Sequence, residues 1–319
     1  MGTDTTDMRD MSDVGVTAVP QPRREELTGW GRTAPTVAQV LRPGTREQVA
    51  EAVAGAGPRG VIARGLGRSY GDPAQNGGGR VLDLTGMNRI LDVDLEQGLA
   101  VVEPGVSLQQ LMQAMLPFGY FVPVTPGTRY VTVGGAIASD IHGKSHHADG
   151  SFAQHVVSLD LLLADGGVRT LTPETEPELF WATAGGMGLT GVVLQATLRM
   201  LPVQTSRILV ETKRVADLDE AMERMTETDA DYRFSVASLD NLATGPSLGR
   251  GWVESGNFAT RDQLPEKLRA APLAFNPKPL AKVPDLFPSG LLNRRTIRRR
   301  VAAASKGTTN WYCRKPAPP

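Results

Sequence analysis

Two glycine-dense segments constrain the fold of this chain more than any other feature of its sequence. The first is RGLGRSYGD at residues 64–72, and the second is YVTVGGAIASDIHG at residues 130–143. Because glycine carries no Cβ, it lets a backbone turn tightly and approach a ligand closely. Ordered loops this long and this rich in glycine are typical of functional segments, so we expect both to contribute to one site.

The remaining pattern alternates short strands with amphipathic helices and predicts an α+β protein. Thr45 is predicted to cap a helix that turns Val49, Val53 and Ala54 inward, and Ser107 to cap a second helix. Further helices are predicted at 177–184 and 218–225. The predicted strands are 61–63, 81–84, 90–93, 99–103, 156–163, 168–171, 191–200, 208–212 and 234–236.

Composition excludes several classes of protein. The single cysteine, Cys313, rules out an internal disulfide framework, and no stretch approaches the length of a membrane span. Residues 290–319 carry eight Lys and Arg and no acidic residue, so the rest of the chain is acidic and gives no reason to expect nucleic-acid binding. Without a basic and apolar leader at residues 1–16, we expect a cytoplasmic location from the sequence.

The first glycine segment has the composition of an anion-binding loop. Its glycines allow successive N–H groups to converge, two arginines add positive charge, and a serine adds a hydroxyl donor. The residues concerned are Arg64, Gly65, Gly67, Arg68, Ser69 and Gly71. A Rossmann fingerprint would open a helix here, but Pro73 and the three glycines that follow it oppose a helix.

Two other chemistries fit parts of the same segments. Residues 67–71 match the GxSxG pattern of a serine hydrolase, with Ser69 as nucleophile and Asp140 and His142 as partners, although an elbow requires a following helix. His142, His146 and His147 behind Asp140 could bind zinc or iron, but on a loop their spacing does not place them together. We therefore expect no bound metal ion. The third glycine cluster, Gly185–Gly191, is expected either to approach a flat ring closely or to form a tight turn.

Taken together, these segments resemble the vanillyl-alcohol-oxidase-like flavoproteins with a PCMH-type FAD domain. The resemblance rests on RGLGRSYGD, TPGT, VTVGGAIASDIHGK, GSFAQHV and GLTG. LTGWGRTAP, QNGGGRVLDLTGMNRI, LPFGYFVPVTPGTR and LFPSGLLN narrow it to members that oxidise decaprenylphosphoryl ribose. Residues 1–26 are polar and lack a hydrophobic period, so we expect a flexible lead there. The resemblance implies a two-lobed FAD-binding domain at 27–203 and an incomplete α+β substrate domain at 204–293, which a divergent basic tail follows at 294–319.

The resemblance also implies functional residues. FAD would be bound by Arg64, Gly65, Gly67, Arg68, Ser69, Tyr70, Thr128, Thr132, Val133, Gly134, Gly135, Ala138, Ser139, His142, Gly143 and Val192. Substrate would contact Pro126, Gly127 and Lys144, with His142 and Lys144 catalytic. Trp30 and Trp181 are expected to pack rather than stack on a ligand. Because many sugar oxidases of this superfamily have a flavin-linked histidine where this chain has Arg68, the FAD should be noncovalent.

The implied reaction is oxidation of a ribosyl CH–OH group by hydride transfer to flavin N5. A partner short-chain reductase would convert the keto sugar to an arabinose donor for cell-wall arabinan, with peripheral membrane association at the cell envelope. The resemblance spans about residues 27–293. Residues 294–310 look inserted or scrambled, so a truncated, non-catalytic FAD-binding protein is the alternative.

Overall fold

The first sheet is built from strands that flank the first glycine segment. The computed structural model describes residues 20–276, 293 and 312–314. Strand β1 (Arg23–Leu27) pairs antiparallel with β2 (Thr36–Leu41), while β4 (Arg80–Asp83) lies parallel to β2 and to β3 (Val61–Arg64). Helix α1 (Arg46–Ala54) makes the crossover that parallel strands require. As predicted, Thr45 caps it, its hydroxyl accepting the N–H of Gln48.

The second sheet is antiparallel and carries most of the core. Its order is β5 (Ile90–Asp94), β6 (Leu99–Val102), β10 (Val192–Arg199), β8 (Val156–Leu162) and β9 (Val168–Leu171). Helices α2 (Leu108–Met115) and α5 (Pro177–Thr183) contribute to the same core.

Helix α2 shows how local chemistry and burial agree. Ser107 forms a capping box, in which its hydroxyl accepts the N–H of Gln110 and the Gln110 side chain accepts the N–H of Ser107. Leu111 and Met115 then lie on one face and are fully buried in the core. A two-stranded ladder of β7 (Tyr120–Phe121) and β11 (Leu201–Pro202) follows on from this helix.

A third sheet begins after residue 207. Its order is β13 (Phe234–Leu239), β14 (Gly251–Phe258), β12 (Ile208–Val215) and β15 (Tyr312–Arg314), with β15 parallel to β12. Helix α6 (Leu218–Thr228) packs on it through Ala221, and α7 (Glu266–Arg269) follows. The predicted α+β class is confirmed. No helix among the described residues combines the length and the apolar run needed to cross a bilayer.

The structure corrects the sequence predictions at several points. Residues 23–26 of the predicted flexible lead belong to β1, an edge strand whose charged sequence lacks a hydrophobic period and which its pairing with β2 stabilises. Ala54 was predicted to face inward and is exposed, because Val49 and Ala52 occupy the buried face of α1. Strands β2 and β14 were not predicted. Residues 1–19 and the predicted insertion at 294–310 lie outside the described residues.

Two short helices also replace the long loop predicted around the second glycine segment. Helix α3 (Val133–Ala138) forms despite its two glycines, because Thr132 caps it and its first N–H groups donate to the carbonyls of Val106 and Pro104. This close approach leaves no room for a side chain on Gly134. Helix α4 (His146–Asp149) is a single turn. The sequence predicts neither helix, because α3 contains two glycines, α4 is a single polar turn, and both are stabilised by contacts with distant residues.

We expect Leu111→Ala to destabilise the protein by about 2–5 kcal/mol, because it leaves a cavity in the fully buried core of the second sheet. Urea unfolding followed by circular dichroism measures the change. The matched control is Leu91→Ala, whose side chain is 43% exposed and should change stability by less than about 0.5 kcal/mol. Equal losses for both variants would contradict the assignment of this core.

Candidate functional site

A cavity of about 690 Å³ lies between the first two sheets, and both glycine segments line it. This volume is within the range of small-molecule and cofactor sites. The predicted residues that line it are Arg64, Gly65, Gly67, Arg68, Ser69, Tyr70, Pro126, Gly127, Thr128, Thr132, Gly134, Gly135, Ala138 and Ser139. Residues from sequence positions more than 70 apart therefore meet around one space.

The loop after β3 forms the first wall and presents unpaired backbone donors. The N–H groups of residues 67–70 donate to no group in the described part of the chain. Gly67 has a φ of +63°, a conformation that lets neighbouring N–H groups converge on one point. This wall therefore has the form of an anion-binding nest, as the sequence predicted.

Arg64 and Arg68 have different roles in this wall. The guanidinium of Arg64 donates to the carbonyls of Thr28 (2.7 Å) and Ala74 (3.0 Å), and these bonds stabilise the conformation of the loop. Burial lowers the pKa of Arg64 from its ordinary value, and the nearby Asp83 carboxylate opposes that shift. Arg68 donates its Nε–H to the Tyr130 carbonyl at 3.1 Å, which leaves its terminal nitrogens without a partner among the described residues. Arg68 is therefore the arginine whose donors remain for a ligand.

Helix α3 forms the second wall and touches the first wall directly. The buried hydroxyl of Thr132 accepts the N–H of Gly135 at 3.2 Å. A Cβ on Gly65 would overlap that hydroxyl, so the two walls meet at the closest distance a glycine allows. The N–H groups of Val133 and Gly134 donate to the carbonyls of Val106 and Pro104. Because these N–H groups are already bonded, the second wall contributes mainly the shape of the cavity and few free backbone donors.

A third segment, the loop after α5, closes the cavity beside α3. Met187 donates its N–H to the carbonyl of Ala138 at 2.8 Å, and its φ of +52° is rare for a residue with a side chain. Gly188 and Gly191 also line the cavity. Strain of this kind concentrates at functional sites, and it agrees with the expectation that this glycine cluster approaches a ligand.

Five predicted site residues do not line the cavity. Val133 is a core residue, and Val192 is buried between the sheets beside the lining residue Gly191. His142, Gly143 and Lys144 follow the lining residue Ile141 but do not themselves line the cavity. The side chains of His142 and Lys144 are exposed.

Residues 142–144 nevertheless lie next to the mouth of the cavity. A Cβ on Gly143 would overlap the carbonyl of Thr125, which directly precedes the lining residues Pro126 and Gly127. The ring of His142 lies 5.4 Å from that of His146. The structure therefore groups the predicted catalytic residues with the predicted substrate residues at one edge of the cavity.

Some lining residues were not predicted as site residues. They are Trp30, Ala63, Leu66, Pro73, Ala74, Leu84, Pro104, Tyr130, Val131, Ile141 and Val193, together with Met187, Gly188 and Gly191 from the glycine cluster for which a ring contact or a tight turn was expected. Trp30 was predicted to be a packing residue, but it is 54% exposed and lines the cavity. In the sequence, the glycines on both sides of Trp30 were the signal that this segment could approach the site closely.

The alternative chemistries lack their structural context. No helix follows Ser69 between residues 65 and 79, so the strand–turn–helix of a hydrolase elbow is absent from that stretch. The Asp140 carboxylate accepts the N–H of Ala153, and the His147 ring contacts the carbonyl of Tyr232. Within the described ranges, no three His, Cys, Asp or Glu side chains come close enough to bind one metal ion.

Comparison with known families identifies the cofactor that this part of the chain binds. Residues 37–172 match the model of the FAD binding domain family, and this range contains both glycine walls. This chain carries an FAD binding domain. The sequence resemblance to FAD-binding flavoproteins and the prediction of FAD as cofactor are thereby confirmed.

Bacterial relatives extend the match. The chain is 51% identical over 278 residues to a decaprenylphosphoryl-β-D-ribose oxidase of Mycolicibacterium smegmatis, covering 86% of this chain and 60% of that protein. It is 44% identical to an uncharacterized Streptomyces coelicolor protein (60% of this chain, 54% of that one) and 31% identical to an L-gulono-1,4-lactone dehydrogenase of Mycobacterium tuberculosis (66% and 49%). The chain thus spans about half to three fifths of the length of these relatives.

We expect Gly65→Ala to weaken FAD binding at least about tenfold, because the new methyl group would push Thr132 from its position at the start of α3 and separate the walls. Fluorescence titration with FAD measures the affinity. Gly57→Ala is the matched control, since a Cβ there meets nothing within 4 Å and FAD affinity should not change. An unchanged affinity for Gly65→Ala would contradict the contact between the walls as a requirement of the site.

Proposed function

We propose that this protein is an FAD-dependent oxidoreductase that oxidises a CH–OH group of a polyprenylphosphoryl pentose. The observation that carries the proposal is the cavity itself. Its two glycine walls lie within the matched FAD binding domain, and it joins free backbone donors to an arginine whose terminal nitrogens have no partner among the described residues. The substrate class is proposed from the relative that oxidises decaprenylphosphoryl-β-D-ribose. The proposed enzyme class is a sugar oxidase or dehydrogenase.

The residues of the cavity fit the cofactor. Among the described residues that line it are two arginines and no Asp or Glu, a charge pattern suited to a pyrophosphate. We assign the pyrophosphate to the N–H groups of residues 67–70 and to Arg68, and the flavin ring to the surface near Gly188 and Gly191. When bound, FAD supplies the hydride acceptor for the oxidation. Since Arg68 stands where covalent relatives are expected to have histidine, the cofactor is noncovalent in this proposal.

The substrate would bind at the edge of the cavity formed by Pro126, Gly127 and Lys144. We assign His142 and Lys144 to the sugar hydroxyl, where the imidazole can accept its proton and the ammonium group can bind an anionic or hydroxyl oxygen. Both side chains are exposed in the structure, as groups that must meet an incoming substrate are.

The third sheet supports the segment that carries these residues. Ser235 donates its N–H to the Lys144 carbonyl at 2.8 Å, and Arg233 forms a 3.1 Å ion pair with the nearly buried carboxylate of Asp149. We propose that residues from 204 onward form the start of a substrate domain which holds the catalytic segment in place. The same proposal includes a partner reductase that completes the epimerisation. It also includes peripheral association of the protein with a membrane.

An absorbance spectrum before and after anaerobic addition of a polyprenylphosphoryl ribose tests this function. Bleaching of the oxidised flavin bands near ~450 nm is the expected result, because reduction of the flavin removes that absorbance. Bound flavin that does not respond to the sugar would leave an FAD-binding protein without this activity. A folded protein that binds no flavin would refute the proposal as a whole.

We expect acid denaturation to release all the flavin into the supernatant, because an arginine at position 68 cannot form the histidyl–flavin bond. Absorbance of the supernatant and of the redissolved pellet, after centrifugation, measures the distribution. Flavin that remains with the precipitated chain would show a covalent link and contradict the proposal.

We expect Arg233→Gln to slow flavin reduction by the sugar while leaving FAD affinity unchanged. The substitution removes the ionic partner of Asp149, whose second carboxylate oxygen already lacks a hydrogen-bond partner, and should cost roughly 1–3 kcal/mol of stability. Stopped-flow absorbance and thermal melting measure the two effects.

Arg169→Gln is the matched control for this variant, since the Arg169–Glu176 pair is exposed on both sides and contributes about 0–1 kcal/mol. Equal reduction rates for Arg233→Gln and the wild type would exclude the proposed support of the catalytic segment by the third sheet.

A further inference from the structure

The short segment 28–32, ahead of the matched domain, forms an additional side of the cofactor cavity. Trp30 donates its N–H to the carbonyl of Ser69 at 2.7 Å, and Gly31 donates to the carbonyl of Tyr70 at 3.1 Å. A Cβ on Gly29 would overlap the Gly71 carbonyl. The segment is thus bonded by its backbone to the anion-binding loop, although it precedes the range 37–172 that defines the FAD binding domain.

The Trp30 ring contacts the charged side chain of Arg68 and belongs to no hydrophobic core cluster of the described residues. It lines the cavity, and the side chain is 54% exposed. The guanidinium carbon of Arg68 lies 4.4 Å from the centre of the ring, which is a cation–π contact.

Two contacts together restrain Arg68. The ring of Trp30 supports the face of the guanidinium, and the Tyr130 carbonyl accepts its Nε–H at 3.1 Å. The terminal nitrogens keep their N–H groups free of partners among the described residues. These groups form the planar fork that binds two oxygens of a phosphate. Because the Arg68 side chain is already held in one position, it loses less rotamer entropy on binding a phosphate than a free arginine would.

We propose that Trp30 is a cofactor-positioning residue, which acts through Arg68 to present a preformed guanidinium to the pyrophosphate of the dinucleotide. This inference rests on the proposed binding of FAD in the cavity and adds to it a residue outside the FAD binding domain. Trp30 does not take part in the oxidation itself. Its effect lies in the affinity for phosphate-bearing flavin, and it depends on the presence of Arg68.

A double-mutant cycle on the full chain, freed of flavin and titrated with FAD, tests this role. Trp30→Ala should weaken FAD binding by about 3- to 30-fold in the wild-type background, the range expected from loss of a cation–π contact. In the Arg68→Ala background the same change should alter affinity by less than about twofold. Trp30→Phe keeps an aromatic face and should recover most of the affinity.

Trp181→Ala is the matched control. Trp181 is a similarly exposed tryptophan, 46% accessible, but it packs edge-to-face on Phe180 and does not line the cavity. Its removal should leave FAD affinity unchanged. Circular dichroism of the flavin-free variants identifies any that fail to fold, and Trp30→Phe then decides the question, because it keeps an aromatic face for the guanidinium of Arg68.

The outcomes separate this inference from the proposed function. If the wild type binds FAD and Trp30→Ala binds it equally well, the positioning role is refuted while the proposed function stands. An equal loss on Trp30→Ala with and without Arg68 would show that the ring acts by another route, and would also refute it. A wild-type protein that binds no FAD would overturn the proposed function first.

Discussion

The close approach of Gly65 to Thr132 is the contact on which the site depends. The Thr132 hydroxyl caps α3, and its position leaves no room for a side chain on the facing residue. Thr132 also bridges to Ser107, the residue that caps α2. One buried threonine thus joins the first glycine wall, the second glycine wall and the main core. The cavity exists because two backbones can meet there without a Cβ between them.

The arginines show how the same residue type serves two purposes within one wall. Arg64 satisfies two backbone carbonyls and holds the loop in shape, whereas Arg68 keeps its terminal donors free beside Trp30. A buried carbonyl without a partner costs free energy, and the guanidinium of Arg64 bonds two carbonyls. Arg64 thereby stabilises a loop conformation in which the amides of residues 67–70 remain unpaired. An anionic ligand supplies the missing acceptors. Shape and charge in this wall therefore favour the same ligand.

The third sheet is connected to this site through backbone as well as through charge. Residues 142–149 contact the start of β13 by the Lys144 carbonyl and by the ion pair of Asp149 with Arg233. The predicted catalytic residues therefore lie where the FAD binding domain meets the next sheet. In the proposed function, the FAD binding domain holds the cofactor, and the following sheet orients the edge at which a substrate would enter. The chain spans 60% of the ribose oxidase it matches, so further residues of that protein have no counterpart in the match.

The sequence by itself determined the class of the fold, the caps at Thr45 and Ser107, and the glycine and arginine content of the cofactor walls. These features are local, because a cap, a turn or an anion-binding loop is specified by a few adjacent residues. Only the tertiary structure decided that α3 forms through its two glycines, and that Arg64 braces the loop while Arg68 stays free. It also decided that Trp30 lies against the cavity. Each of these depends on contacts between distant residues, whose distances in space do not follow from their order in the chain.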